Sequence, residues 1–136
     1  MILHPTSNPR IIFAGGSILG ADCFSMVDGL LIFTGGFTGL QVTAKNFERD
    51  GRIPCPHRIH AGAPDGGLCQ LIRDDLDYLS GEGCKKIGIH APNSVEEARQ
   101  AVNATVEWLE KHPGSVETVY FVDLKDDYFN CFGTGL

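Results

Sequence analysis

The chain has 136 residues, 43% of them hydrophobic and 21% charged, with a net charge of −6 and a pI near 5.2. That length is enough to bury a core without metal or disulfide help and fits a single domain, 1–136. The acidic balance excludes a nucleic-acid groove, which needs a basic stripe to neutralise phosphates, and no run of eighteen apolar residues offers a membrane span.

The first ten residues, MILHPTSNPR, lack the basic and long apolar regions of a secretory leader. Cys23, Cys55, Cys69, Cys84 and Cys131 are odd in number and contain no CxxC pair, which suits reduced thiols. A soluble, cytoplasmic protein is expected. In chain order, RIIFA (10–14) and GLLIF (29–33) are short apolar runs bounded by Gly or polar residues, the pattern of strands buried on both faces. The second runs into TGGFTG (34–39), where glycines permit a close turn and can bring main-chain N–H groups up to an anion. Taken alone, this stretch also suits a tight strand-to-helix connection with no ligand.

Leu40, Ala44 and Phe47 then recur at helical spacing, and Gly51 closes that helix. HRIHAGAP (57–64) reads as a short strand ending at Pro64. Leu68, Leu71, Ile72, Leu76 and Leu79 form one stripe, with acids opposite, that predicts a helix over 68–80. KKIGIHAP (85–92) is the next strand. Ser94-Val95-Glu96-Glu97 is a capping box, and Val95, Ala98, Val102, Thr105 and Leu109 follow on one face, predicting a helix over 94–111 with Trp108 at the edge of the buried stripe. ETVYFVDL (117–124) is the last strand, and KDDYFNCF (125–132) turns off its end. Alternation of strand and helix predicts a three-layer α/β/α sandwich with a mixed, mostly parallel central sheet, whose ligands gather outside the C-terminal ends of the strands.

Four segments together resemble the macro domain, the ADP-ribose-binding module. GSI (16–18) with VDGLLIF (27–33) resembles the family's G-D-I and V-D-A-I-V-N signatures. TGGFTGLQ (34–41) resembles its G-G-G-V-A-G-A-I phosphate loop, RIHAGAP (58–64) its V-I-H-A-V-G-P strand, and 94–132 its closing helix, strand and aromatic turn. The chain also departs from the pattern. Ser17 stands where the family has the Asp that recognises adenine, so a hydroxyl would bond there without charge assistance. Ile32 replaces the Asn of V-N, the Asn of the A-A-N run is missing, and the second glycine-rich loop, S-T-G-I-Y-G, is reduced to Asn93-Ser94. The resemblance therefore implies that half of the diphosphate clamp has been deleted.

On this reading Ser17, Ile18, Gly35, Gly36, Phe37, Thr38 and Gly39 border the ligand, and Asn93 and Ser94 add donors from the other side. Tyr128 and Phe129 offer rings to adenine or ribose, and core packing suits Phe132 better. Catalytic groups are unassigned; Asp22 and Asp28 are weak candidates, since each can simply cap or turn the chain. Cys55, His57 and His60 have ligand-competent atoms but no second cluster to complete a zinc site, so no metal and no cofactor are expected. His60 and His90 read as strand histidines, and a Cys55–His nucleophilic dyad lacks a visible partner. Three functions remain: a binding module for ADP-ribose or a related nucleotide without strong hydrolase activity, an interaction or structural protein that kept the fold and lost the ligand, and a hydrolase of ADP-ribosylated or phosphorylated small molecules.

Overall fold

The computed structural model describes residues 2–34, 38–61, 67–90 and 94–123. Six strands and four helices follow in the order β1 (Leu3–Pro5), β2 (Ile11–Ala14), α1 (Ala21–Met26), β3 (Gly29–Phe33), α2 (Thr38–Arg49), β4 (His57–His60), α3 (Leu68–Gly81), β5 (Lys86–His90), α4 (Val95–Lys111) and β6 (Thr118–Val122). The sheet order is β1-β2-β6-β5-β3-β4. All neighbours are parallel except β1, which pairs antiparallel with β2. The expected α/β/α sandwich on a mostly parallel sheet is therefore present.

The layers follow from the two-residue alternation of the strands. Ile11, Phe13, Leu31, Phe33, Ile87, Ile89, Val119 and Phe121 face α3 and α4 in one core cluster. Ala14, Leu30, Ile32, Tyr120 and Val122 face α1 and α2 in a second. Because both faces are covered, β3 and β6 are buried along their whole length, which is why they appear in the sequence as unbroken apolar runs.

On α3 the predicted stripe Leu68, Leu71, Ile72, Leu76 and Leu79 is buried, but Asp75 is buried with it rather than lying among the opposing acids. Its carboxylate is met by His60, a partner too distant in sequence for the helical pattern to reveal. On α4, Ser94 caps as expected, its Oγ accepting from the Glu97 N–H at 3.1 Å. Trp108 is a buried core member, not a marginal one, and only its indole N–H reaches outward, donating to Asp77 Oδ1 at 2.8 Å. Two elements escaped the sequence reading. Strand β1 is exposed at every residue and shows no apolar alternation; its backbone pairing with Ile12–Ala14 holds it. Helix α1 is six residues long and buries only Cys23, too short to display a period.

Candidate ligand site at the C-terminal edge of the sheet

Five parallel strands end on one edge of the sheet, at Ala14, Phe33, His60, His90 and Val122. Of the residues singled out for ligand contact, Gly35, Gly36, Phe37, Asn93, Tyr128 and Phe129 lie outside the described residues. The structure places Ser17, Ile18, Thr38, Gly39 and Ser94 at this edge, on the connections that follow β2, β3 and β5.

The connection after β2 turns through Gly16, whose φ of 98° only glycine adopts easily. Ser17 is exposed, and its Oγ accepts from the Leu19 N–H at 3.3 Å, leaving its own proton available to a neighbour. The Ile18 side chain is 1% exposed and belongs to the core under α1 and α2, so only its backbone faces the edge's chemistry. Helix α2 begins at Thr38, and its first turn carries no acidic residue. Its first N–H groups lack intrahelical partners, as in any helix, and the helix dipole adds partial positive charge there. Gly39 is exposed, and no atom of the described residues lies within 4 Å of where its Cβ would stand. The start of α4 differs: Ser94 Oγ is taken up in the cap, and Glu96 and Glu97 place negative charge in the first turn. Of these two helix starts, α2 is the more receptive to an anion.

Three further groups shape the edge. Thr34 is fully buried, and both its N–H (2.9 Å) and its Oγ–H (3.1 Å) donate to the His60 carbonyl. His90, 4% exposed, donates from Nδ1 to the Phe33 carbonyl at 3.0 Å, and its Nε2 lies 3.5 Å from Asp123 Oδ2. Burial pushes the His90 imidazole below its usual range, outweighing the Phe33 carbonyl and the Asp123 carboxylate. Asp123 has a φ of 64°, the one positive value at a non-glycine residue among those described. Its N–H donates to the Ala14 carbonyl at 3.0 Å, tying the end of β6 to the end of β2. Asp123 is an exposed carboxylate at a strand end that the sequence reading passed over, although its position at the end of a central apolar run is the signal that marks it.

The weak catalytic candidates separate. Asp28 precedes β3 at the opposite edge, where its carboxylate accepts the Lys85 N–H at 3.0 and 3.1 Å and the Lys86 N–H at 2.8 Å. It fixes the entry to β5, away from the strand C-termini. Asp22 is exposed in the first turn of α1. The Cys55–His57 pair does not form a nucleophilic dyad: His57 Nδ1 donates to the Cys55 carbonyl at 2.9 Å, and its Nε2 meets Glu48 Oε2 at 2.8 Å. The Cys55 thiol is pushed up to about 11, chiefly by burial and further by Cys84 and Asp28. Among the described residues no group of three or more His, Cys, Asp or Glu side chains is arranged to hold a metal ion. None of their helices is long and apolar enough to cross a membrane.

No protein-family model matches the chain, and no curated protein sequence matches it. The fold does have solved relatives. A Trypanosoma brucei macrodomain in complex with ADP-ribose superposes with a TM-score of 0.70 at 17% identity, over 96% of this chain and 75% of that one. The same organism's macrodomain in complex with ADP gives 0.69 at 18% identity, over 96% and 74%. Both neighbours are longer, so this chain has the macrodomain fold in a shortened form.

Proposed function

We propose that the protein is a cytoplasmic binding module for ADP-ribose or a related nucleotide, without strong hydrolase activity. One observation carries the reading: within the TGGFTG sequence the fully buried strand β3 has ended at Phe33 and α2 begins at Thr38, and the first turn of that helix holds no carboxylate. A phosphate there would meet oriented amides and a favourable dipole without needing a cationic side chain. The fold's likeness to macrodomains solved with ADP-ribose and ADP supports the choice of ligand class.

In this reading the backbone of Gly35–Gly39 holds one phosphate, Ser17 and the Ile18 backbone border the base, and Asn93, Ser94, Tyr128 and Phe129 complete the surroundings. The acidic start of α4 favours weaker binding than an intact clamp gives. It also favours a second reading, in which the fold persists as an interaction module that no longer binds nucleotide. A thermal-shift screen of ADP-ribose, NAD, AMP and ADP separates the two. A ligand at a hundred times its dissociation constant stabilises by about 2.7 kcal/mol, which raises the melting temperature by several degrees in a domain of this size. No shift with any nucleotide at millimolar concentration selects the second reading.

A further inference from the structure

Three central strands end around one ring. His90 closes β5; its Nδ1 donates to the Phe33 carbonyl at the end of β3, and its Nε2 faces Asp123 Oδ2, one residue past β6, at 3.5 Å. The His90 side chain is 5% exposed and that of Asp123 is 63% exposed. A Cβ at Gly88, two residues earlier, would point at Cys23, Val27 and Leu30 in the core under α1 and α2, so the alternation of β5 puts the ring on that same face. Few charges surround it. Among the described residues β6 presents Asp123 and β3 presents only its carbonyl. The first turn of α2 holds no acid, and α1 carries Asp22, exposed in its own first turn.

A carbonyl can only accept, so Nδ1 carries a proton whatever the state of the ring, and the charge is decided at Nε2. In the neutral ring Nε2 turns a lone pair towards the Asp123 carboxylate; in the imidazolium it is a donor to the same carboxylate. Burial favours the neutral ring, against the pull of the Phe33 carbonyl and Asp123. The observed 3.5 Å is longer than a formed charge-assisted hydrogen bond, which closes to about 2.7–2.9 Å. Asp123 leaves one way to close that gap. Its N–H is held by the Ala14 carbonyl at 3.0 Å, and its φ of 64° lies in the left-handed region that Asp tolerates better than most residues. The backbone is fastened to β2 while the carboxylate stands in solvent, so the pair closes by rotation of the Asp123 side chain.

We propose that His90 and Asp123 form a proton-operated latch at the C-terminal edge of the sheet. With the ring neutral, the Asp123 carboxylate stands in solvent; with the ring protonated, it turns onto Nε2 and ties the end of β6 to the end of β5. The edge then gains one positive charge and withdraws an exposed negative one, so it is less negative in acid than at neutral pH. The latch needs no ligand. A histidine that only filled the end of β5 would titrate without reference to Asp123.

The test is a titration of the whole chain by NMR from pH 8 down to about pH 4.5, above the ordinary aspartate range. It follows the His90 ring nitrogens and the Asp123 side-chain carboxyl carbon in the wild type, and the ring nitrogens in Asp123→Asn. Asparagine accepts the same left-handed backbone, so the variant keeps the turn. In the wild type the His90 Nε2 signal is expected to change below the usual histidine range, with the Asp123 carbon following the same curve. Asp123→Asn is expected to move the ring's transition to lower pH. Unfolding free energies check the sign: the stability lost in Asp123→Asn is larger at the acid end than at pH 8, because the carboxylate supports the native imidazolium and not the unfolded chain. A ring that stays neutral over the whole range, an Asp123 carbon that ignores its transition, or a transition unmoved in Asp123→Asn overturns the proposal. If the variant does not fold, the two wild-type curves decide.

Discussion

Gly29 opens β3 against Cys84, and substituting it by Ala tests how tightly this part of the sheet is packed. A Cβ at Gly29 would lie 2.7 Å from Cys84 Sγ and 3.1 Å from Cys84 Cβ. The sulfur has little freedom to retreat, because Cys84 is 2% exposed and its thiol donates to the Asp28 carbonyl at 3.1 Å. Overpacking of this kind costs about 1–3 kcal/mol, and Ala regains about 0.5–1 kcal/mol over Gly in a strand. The net loss is then about 1.5 kcal/mol. With an unfolding entropy of about 2.1 cal/mol/K per residue over 136 residues, this lowers the melting temperature by about 5 °C. Cys84→Ala removes the sulfur, so Gly29→Ala introduced into that background should cost little, giving a coupling of about 1.5 kcal/mol by double-mutant cycle. Urea and thermal unfolding of the four proteins read this directly. Equal costs of Gly29→Ala in both backgrounds would refute the packing argument.

Arg10 joins the start of β2 to the C-terminal end of α4: Nη1 donates to the Leu109 carbonyl at 2.8 Å, and Nε and Nη2 both donate to that of Val116. Arg10→Ala should cost about 3 kcal/mol, since hydrogen bonds from a charged donor are the expensive ones to lose, and Arg10→Lys should recover only part of it; a melting temperature within about 2 °C of wild type would contradict this role. Because burial raises the Asp75 pKa above 3.8, the native state holds this proton more tightly than the unfolded chain. Its contribution to stability is therefore complete at low pH and is lost as pH rises through the native value. Unfolding free energies of wild type minus Asp75→Asn, measured from pH 3 upward, should fall across that window, and a flat or rising difference counts against the assignment.

The parts of the fold legible in the sequence were those whose signal is local. Strands buried on both faces appear as apolar runs in IIFA, GLLIF and TVYFV, and the α3 and α4 stripes appear because one helical face meets the core. The capping box at Ser94 is equally local and forms as expected. Pairings between distant segments were not legible. Asp75 reads as one acid among several until His60 arrives from another strand, and Asp28 reads as a candidate acid until the Lys85 and Lys86 amides occupy it. Strand β1 owes its form to the backbone of β2 rather than to any apolar pattern of its own. For the site, the glycine run marks the connection between β3 and α2, whose residues 35–37 lie outside the described ones, whereas His90 with Asp123 became a feature of the edge only once the parallel register brought the strand ends together.

The central claim is that main-chain amides at the start of α2 hold a nucleotide's phosphate, and titration calorimetry of ADP-ribose into wild type and Gly39→Val tests it most directly. Among the described residues a Cβ at Gly39 meets nothing within 4 Å, so the substitution leaves the core untouched and should cost only modest stability. It places bulk where the ligand is required to approach the backbone. The account predicts saturable one-to-one binding by the wild type and its loss in Gly39→Val at a nearly unchanged melting temperature. Equal affinity in the two proteins, or no binding by the wild type, would contradict it.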